Sequence, residues 1–207
     1  MDRLFGVEAC LVAAVVGFSA ALAAQTDPGT FNEATHLYRN RTYAITCKVP
    51  AGWVLRTAQM QPSDSTTNQV LLAAFERPPE AAGPAPASTI LIATEAQSNY
   101  PAVKTAEDYF APLTEVVTAK GFQAVNDPYP FKVGTQAVTR EDFTREQKDR
   151  PTTYQSTLVT LAHSQIVSFT FLAASEDEVD DLIGNLSFSL NAAPKIARKT
   201  PSKSKPN

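Results

Sequence analysis

The sequence predicts an α+β domain whose sheet is covered on both faces. Three stretches of the 207-residue chain carry that prediction. Ile166–Leu172 alternates strictly, with Val167, Phe169 and Phe171 on one side and Ile166, Ser168, Thr170 and Leu172 on the other, the period of a strand. Val70–Glu76 and Thr89–Glu95 are apolar on both faces, as strands are when layers lie above and below them. Ser175 and Glu178 have capping-box spacing, and Val179, Leu182, Ile183 and Leu186 follow at helical spacing, so a helix closes the domain.

The elements follow in chain order. Gln25–Arg39 shows no period and forms a lead-in. Tyr43–Val49 is a strand with Tyr43, Ile45, Cys47 and Val49 on one face, broken by Pro50-Ala51-Gly52. Trp53–Arg56 is a short extended piece, and Gln61–Asn68 is a polar loop. Arg77–Ala87 carries Pro78, Pro79, Pro84 and Pro86, too many missing amide donors for a ladder, so it is an excursion between two strands.

Thr105–Gly121 has the pattern of a helix, with Thr105 and Asp108 at cap spacing, an apolar stripe of Tyr109, Phe110, Leu113, Val116 and Val117, and Gly121 as a left-handed stop. Pro112 either kinks this helix or starts it. Phe122–Val125 and Thr135–Arg145 are strands joined by a stiff loop, Asp127-Pro128-Tyr129-Pro130. Lys148–Pro151 turns the chain into a strand at Tyr154–Ala162, and His163, Ser164 and Gln165 leave room only for a short hairpin loop. Acidic Glu176, Asp177 and Glu178 favour a helix start, where the dipole attracts negative charge.

The termini differ from the rest. Ala9–Ala24 is an unbroken run of apolar and small residues ending in Ala21-Leu22-Ala23, an A-x-A cleavage pattern. The run is short of the roughly 20 apolar residues that a membrane span needs. Arg3 before it is offset by Asp2 and Glu8, so an uncleaved anchor stays open beside a cleaved signal. The expected organisation is a signal peptide at 1–23, a lead-in at 24–40, a folded domain at 41–190 and a basic disordered tail at 191–207. Export to the periplasm or the exterior follows from the leader. Cleavage removes Cys10 and leaves Cys47 without a disulfide partner, a small buried hydrophobe rather than a reactive thiol. The tail holds Lys195, Arg198, Lys199, Lys203 and Lys205 and no acid. It suits an anionic membrane or cell-wall surface. The domain between is acidic, which excludes nucleic acid as its partner.

The Tyr43, Pro50-Ala51-Gly52-Trp53 and Ser187-Phe188 landmarks, in this order of elements, make about Tyr43–Phe188 similar to the PsbP-like α/β/α sandwich superfamily, which includes the DcrB-like bacterial envelope proteins. The resemblance implies a central antiparallel sheet, here of about six or seven strands, flanked by helices. It also implies a non-enzymatic role, docking onto another protein. The photosystem and small-GTPase contact residues of better-known relatives have no counterparts to match here, so those partners are not carried over.

Catalytic patterns are missing. His36 and His163 do not cluster with cysteine, and no metal or cofactor is expected. His163-Ser164 lacks a visible orienting acid. Glu176–Asp181 lacks the alternating ligands and glycine of a calcium loop. Glu141 and Asp142, adjacent in a strand, point to opposite faces and form no carboxylate pair. The candidate partner contacts are the loop aromatics Trp53, Tyr100 and Tyr129, each near a Pro or Gly; the alternative is that Trp53 plugs the sheet end and the tyrosines pack on their prolines. The expected function is an exported, non-catalytic domain docking on an envelope protein through loops at one sheet end. A small-ligand domain with a pocket between sheet and helix is the first alternative, and a hydrolase of unrecognised type the second.

Overall fold

The structure is a computed structural model that describes residues 28–63, 67–81, 83 and 85–188. The expected signal peptide, Leu190 and the basic tail lie outside the described residues. The fold is an α+β sandwich of two antiparallel sheets and two α-helices.

The smaller sheet comes from both ends of the domain. Its strands are β1 (Thr30–Asn32), β2 (Leu37–Asn40) and β3 (Ile45–Lys48). A last strand, β12 (Leu186–Phe188), returns to pair with β3 through Leu186↔Cys47 and Phe188↔Ile45. The hairpin β1–β2 falls in the segment expected to be an aperiodic lead-in. Tyr38 and Asn40 on β2 are buried, and the Asn40 side chain accepts the Tyr43 N–H at 3.0 Å. Ile45, Cys47 and Val49 share one buried face, as their spacing predicts; Tyr43 reaches the same core from the turn before β3, where Ala44 at φ +57° interrupts the expected strand.

The larger sheet begins after a turn in which the Trp53 N–H reaches the Pro50 carbonyl (3.4 Å) with Gly52 at φ +84°, a position that favours glycine. Its remaining members are β4 (Val54–Leu55), β5 (Asn68–Phe75), β6 (Thr89–Ala96), β7 (Gln123–Ala124), β8 (Tyr129–Val133), β9 (Gln136–Gln147), β10 (Arg150–Ala162) and β11 (Gln165–Ala173). They run in the order β4-β5-β6-β11-β10-β9-β7, with β8 also on β9. That makes eight strands, more than expected, because β8 forms where a proline-stiffened loop was expected. Pro130 is tolerated there because β8 pairs only with β9, so one of its sides is an edge. The β10–β11 loop is the two residues His163 and Ser164, both at positive φ, as a tight hairpin requires.

The central strand β11 separates two cores. Val167, Phe169 and Phe171 point into the main core, together with Leu158, Ile90 and Ile92, the buried face of β3, and Val179, Leu182 and Ile183. Those last three belong to α2 (Glu176–Gly184), which starts at Ser175, whose hydroxyl accepts the Glu178 N–H at 3.2 Å. Ile166 points the other way, against Val159 and Phe110. Phe110 opens α1 (Phe110–Ala119), and Val117 on the same helix packs on Phe122 and Phe143. The layers are therefore α1, the large sheet, and then α2 beside the small sheet.

α1 is shorter than its apolar pattern. Thr105 and Asp108 do bond reciprocally, with N–H to carboxylate at 2.7 Å and N–H to hydroxyl at 3.3 Å, but they close a turn rather than the helix. The Pro112 ring excludes a helical carbonyl four residues back, at Asp108, so the helix starts at Phe110 and places Pro112 in its first turn, where no N–H is needed. Val116, expected in the apolar stripe, is 53% exposed.

Leu71 and Leu72 are each 1% exposed, as coverage of the middle strands demands. The cause is partly different from the one expected. Pairing of β5 with β6 is irregular between Val70 and Leu72, and both leucines join the same main core. A bulge inserts one residue and re-aims its neighbours, so consecutive leucines face one way. On the far face of β6, Leu91 and Ala93 are half-buried, so the α1 layer is densest over β9–β11.

Candidate functional site

The densest polar arrangement lies where β9 and β10 pass under α2. Strand alternation puts Glu141 and Asp142 on opposite faces, as expected; the structure places Asp142 on the α2 side and Glu141 on the α1 side. Asp142 accepts four side-chain donors. Asn126 Nδ2 (3.0 Å) and the Tyr129 hydroxyl (2.9 Å) reach Oδ2; Arg140 Nε (2.8 Å) and the Ser156 hydroxyl reach Oδ1. Its own N–H donates to Asn126 Oδ1 at 3.2 Å. Burial pushes the carboxyl pKa up, but the bonds from Ser156, Arg140 and Asn126 outweigh it and hold it below the usual aspartate value. Arg140 also meets Asp180 of α2 at 2.9 Å and lies 5.1 Å over the Phe131 ring. Beside this network is a cleft of about 140 Å³ lined by Val125, Tyr154, Glu176 and Val179 among others.

A carboxylate has about four lone-pair directions, and Asp142 has a donor on each. It has none left to take a proton from a substrate. What the arrangement does is tie β9 to β10, to the β7–β8 segment and, through Arg140, to α2.

The expected contact residues do not converge. Trp53 precedes β4 at one edge of the large sheet and packs, half-buried, on the main core. Tyr129 sits on β8 at the opposite edge, with its ring edge-on to Phe131 and its hydroxyl, pushed up to about 12 by burial and the Asp142 charge, bound to that carboxylate. Tyr100 follows a 3-10 turn at Gln97–Asn99. It stands edge-on to Tyr109 at 5.2 Å and donates to Glu95, which also accepts the Tyr109 hydroxyl at 2.7 Å. Burial and that carboxylate push the Tyr100 hydroxyl to about 12 and Tyr109 higher still. All three aromatics are thus tied into the fold, the tyrosines by neighbouring rings and carboxylates and Trp53 by the main core.

Other reactive groups are committed too. Cys47 is fully buried, and burial alone pushes its thiol to about 12. Glu141 is buried under α1 and accepts the Thr114 hydroxyl at 2.9 Å; burial raises its pKa. The His163 ring contacts the Tyr43 ring at 6.0 Å. Among the described residues no hydrogen bond joins His163 or Ser164 to a carboxylate, and no group of His, Cys, Asp and Glu is placed to hold a metal. No helix among them is long and apolar enough to cross a membrane.

Sequence reasoning missed the Asp142 network because its members come from separate segments. The only local signal was the β9–β10 hairpin. Counting back from Gln147↔Arg150 puts Asp142 opposite Gln155; an irregularity between Arg150 and Thr153 shifts the register and brings Ser156 there instead.

No family model matches the sequence, and no curated protein matches it. Among solved structures, the chain is similar to the cyanobacterial PsbP of Synechocystis sp. PCC 6803, at 11% identity and a TM-score of 0.49, over 73% of this chain and 91% of that one. It is similar to the Ran-binding protein Mog1p of Saccharomyces cerevisiae at 12% identity and a TM-score of 0.41, over 70% and 90%. It is also similar to LpqN of Mycobacterium tuberculosis, involved in cell envelope biogenesis, at 17% identity and a TM-score of 0.35, over 77% and 80%. A PsbP is thus among the structures this chain resembles, in line with the sequence resemblance. At these scores and identities the likenesses are of overall shape, and they carry no function.

Proposed function

We propose that the chain is an exported, non-catalytic binding domain of the cell envelope that docks on another protein. The observation that supports this best is the commitment of its reactive side chains. Asp142, with every lone-pair direction taken, stands for the rest: the groups that chemistry would use hold strands and helices together. Export rests on the leader pattern at Ala9–Ala24. The docking surface is assigned to the β7–β8 segment, where Val125 stands 55% exposed at the mouth of the α2 cleft, a few residues from Tyr129.

The small-ligand reading has the spaces between sheet and helices in its favour: grooves of about 400 Å³ between β8 and α2 and about 530 Å³ between α1 and Glu141 of β9. The cleft beside Asp142, at about 140 Å³, falls below the roughly 300 Å³ at which ligand pockets usually begin.

The test is comparative capture from an envelope extract with wild type, Val125→Asp and Trp53→Ala, each checked for an unchanged Tm. A partner held by wild type and Trp53→Ala but lost from Val125→Asp is the expected result. Identical profiles for all three remove this surface. Cell fractionation with amino-terminal sequencing tests export separately, and a mature chain starting at Ala24 is expected.

A further inference from the structure

At one end of the large sheet a cavity of about 560 Å³ opens between the proline-rich excursion after β5 and the β9–β10 hairpin. Three arginines line it: Arg77, Arg145 and Arg150. The domain as a whole is acidic, so this gathering runs against its charge. Two acids, Glu80 and Asp149, line it as well, and Glu76 stands beside Arg77. Glu80 is 3.7 Å from Arg56, and Glu76 is 3.3 Å from Arg77, while Asp149 forms the hairpin turn at φ +61°. Neither Arg145 nor Arg150 has a carboxylate within ion-pair distance among the described residues.

The guanidinium groups are held in place by their other atoms. Arg145 lies 4.6 Å over the Phe122 ring, which fixes its plane and takes none of its N–H groups. Arg77 donates through Nη1 to Glu76 and through Nη2 to the Ala85 carbonyl. The excursion wraps it so closely that a Cβ at Gly83 would lie 2.6 Å from Arg77 Cζ. In both residues Nε–H is buried and has no hydrogen-bond partner. A donor sealed from solvent is also out of a solute's reach, so the groups left to meet one are the outer N–H groups of Arg145 and Arg150, which have no hydrogen-bond partner among the described residues. A guanidinium presents its donors in a planar fork that matches the oxygens of a carboxylate or phosphoryl group.

We propose that this arginine-lined cavity binds a small molecule bearing an oxyanion, either phosphoryl or carboxylate, with the outer N–H groups of Arg145 and Arg150 donating and Arg77 adding positive charge. This goes beyond the docking reading and does not depend on it. The cavity is within the size range of small-ligand sites, so the oxyanion anchors a larger solute rather than filling the space alone.

Arginine Nε–Hε resonances report this directly. The full chain is titrated with sodium phosphate and, separately, with sodium citrate, against sodium chloride at matched ionic strength. Saturable shifts of the Arg145 and Arg150 resonances with at least one oxyanion, and not with chloride, are expected. Phosphate acting more tightly marks a phosphoryl ligand, and citrate acting more tightly a carboxylate one. Arg150→Gln changes an exposed residue; it should weaken the tighter oxyanion about tenfold, the loss of one charge-assisted contact, with an unchanged Tm. The proposal is overturned if neither oxyanion gives saturable shifts, or if binding is the same in Arg150→Gln and Arg145→Gln as in wild type.

Discussion

Ser156 on β10 stands directly across the ladder from Asp142 on β9 and donates its hydroxyl hydrogen to that carboxylate. This cross-strand bond is one of four on the same group, and it has consequences for stability. Asp142→Asn swaps an acceptor for an NH₂ that faces donors from Asn126 and Tyr129 or from Arg140 and Ser156, and it leaves Asp180 as the one carboxylate paired with Arg140. A cost of about 2–4 kcal/mol is expected by urea unfolding. The wild-type carboxyl has a lowered pKa in the fold. Its contribution is therefore present above the unfolded value of about 3.9 and lost as pH falls through the lower folded value. A mutant as stable as wild type at pH 7 would mean that the network adds nothing.

Phe169 is fully buried at the centre of the main core and stands edge-on to Phe188 of β12, with ring centroids 5.3 Å apart. It thus joins the large sheet to the small one. Phe169→Ala should cost about 3–5 kcal/mol. A loss near zero in the same urea assay would contradict the burial.

The alternation of β11 could be read from sequence because a pleated strand is the element whose side chains repeat with period two, and Phe169 and Ile166 went to the faces their spacing assigned. Burial at Leu71 and Leu72 was also legible, but the bulge was not, since an inserted residue leaves no mark in composition. Thr30–Asn40 hid its hairpin because short edge strands need little apolar surface. β8 was hidden behind Pro128 and Pro130, which argue against a ladder except at an edge. The Asp142 network and the arginine cavity are set by tertiary register and loop path, and no periodicity encodes either.

Cys47 has no surface access, and burial drives its thiol to about 12. A thiolate is the reactive form, so native protein should resist a disulfide-exchange reagent at pH 8 and react only as fast as it unfolds. Labelling should become complete in denaturant. Fast labelling of the native protein, read by mass on a chain lacking Cys10, would show that the main core opens locally near β3.

Glu141 and Asp142 are neighbours in sequence with opposite pH behaviour, because alternation puts them in different layers. Glu141 lies under α1 with the Thr114 hydroxyl, and burial raises its pKa. A raised carboxyl favours the protonated fold, so its contribution is full below the unfolded value of about 4.3 and is lost as pH rises through the folded value. Glu141→Gln keeps a carbonyl oxygen for Thr114 and removes the charge that must be buried at neutral pH. The variant should melt a few degrees above wild type at pH 7. The two curves should converge near pH 4, where the wild-type group is neutral as well. The Asp142 dependence is shared by both proteins and cancels in the difference, so the gap isolates Glu141. A gap that widens on acidification would place the ionised carboxylate among the interactions that hold α1 down.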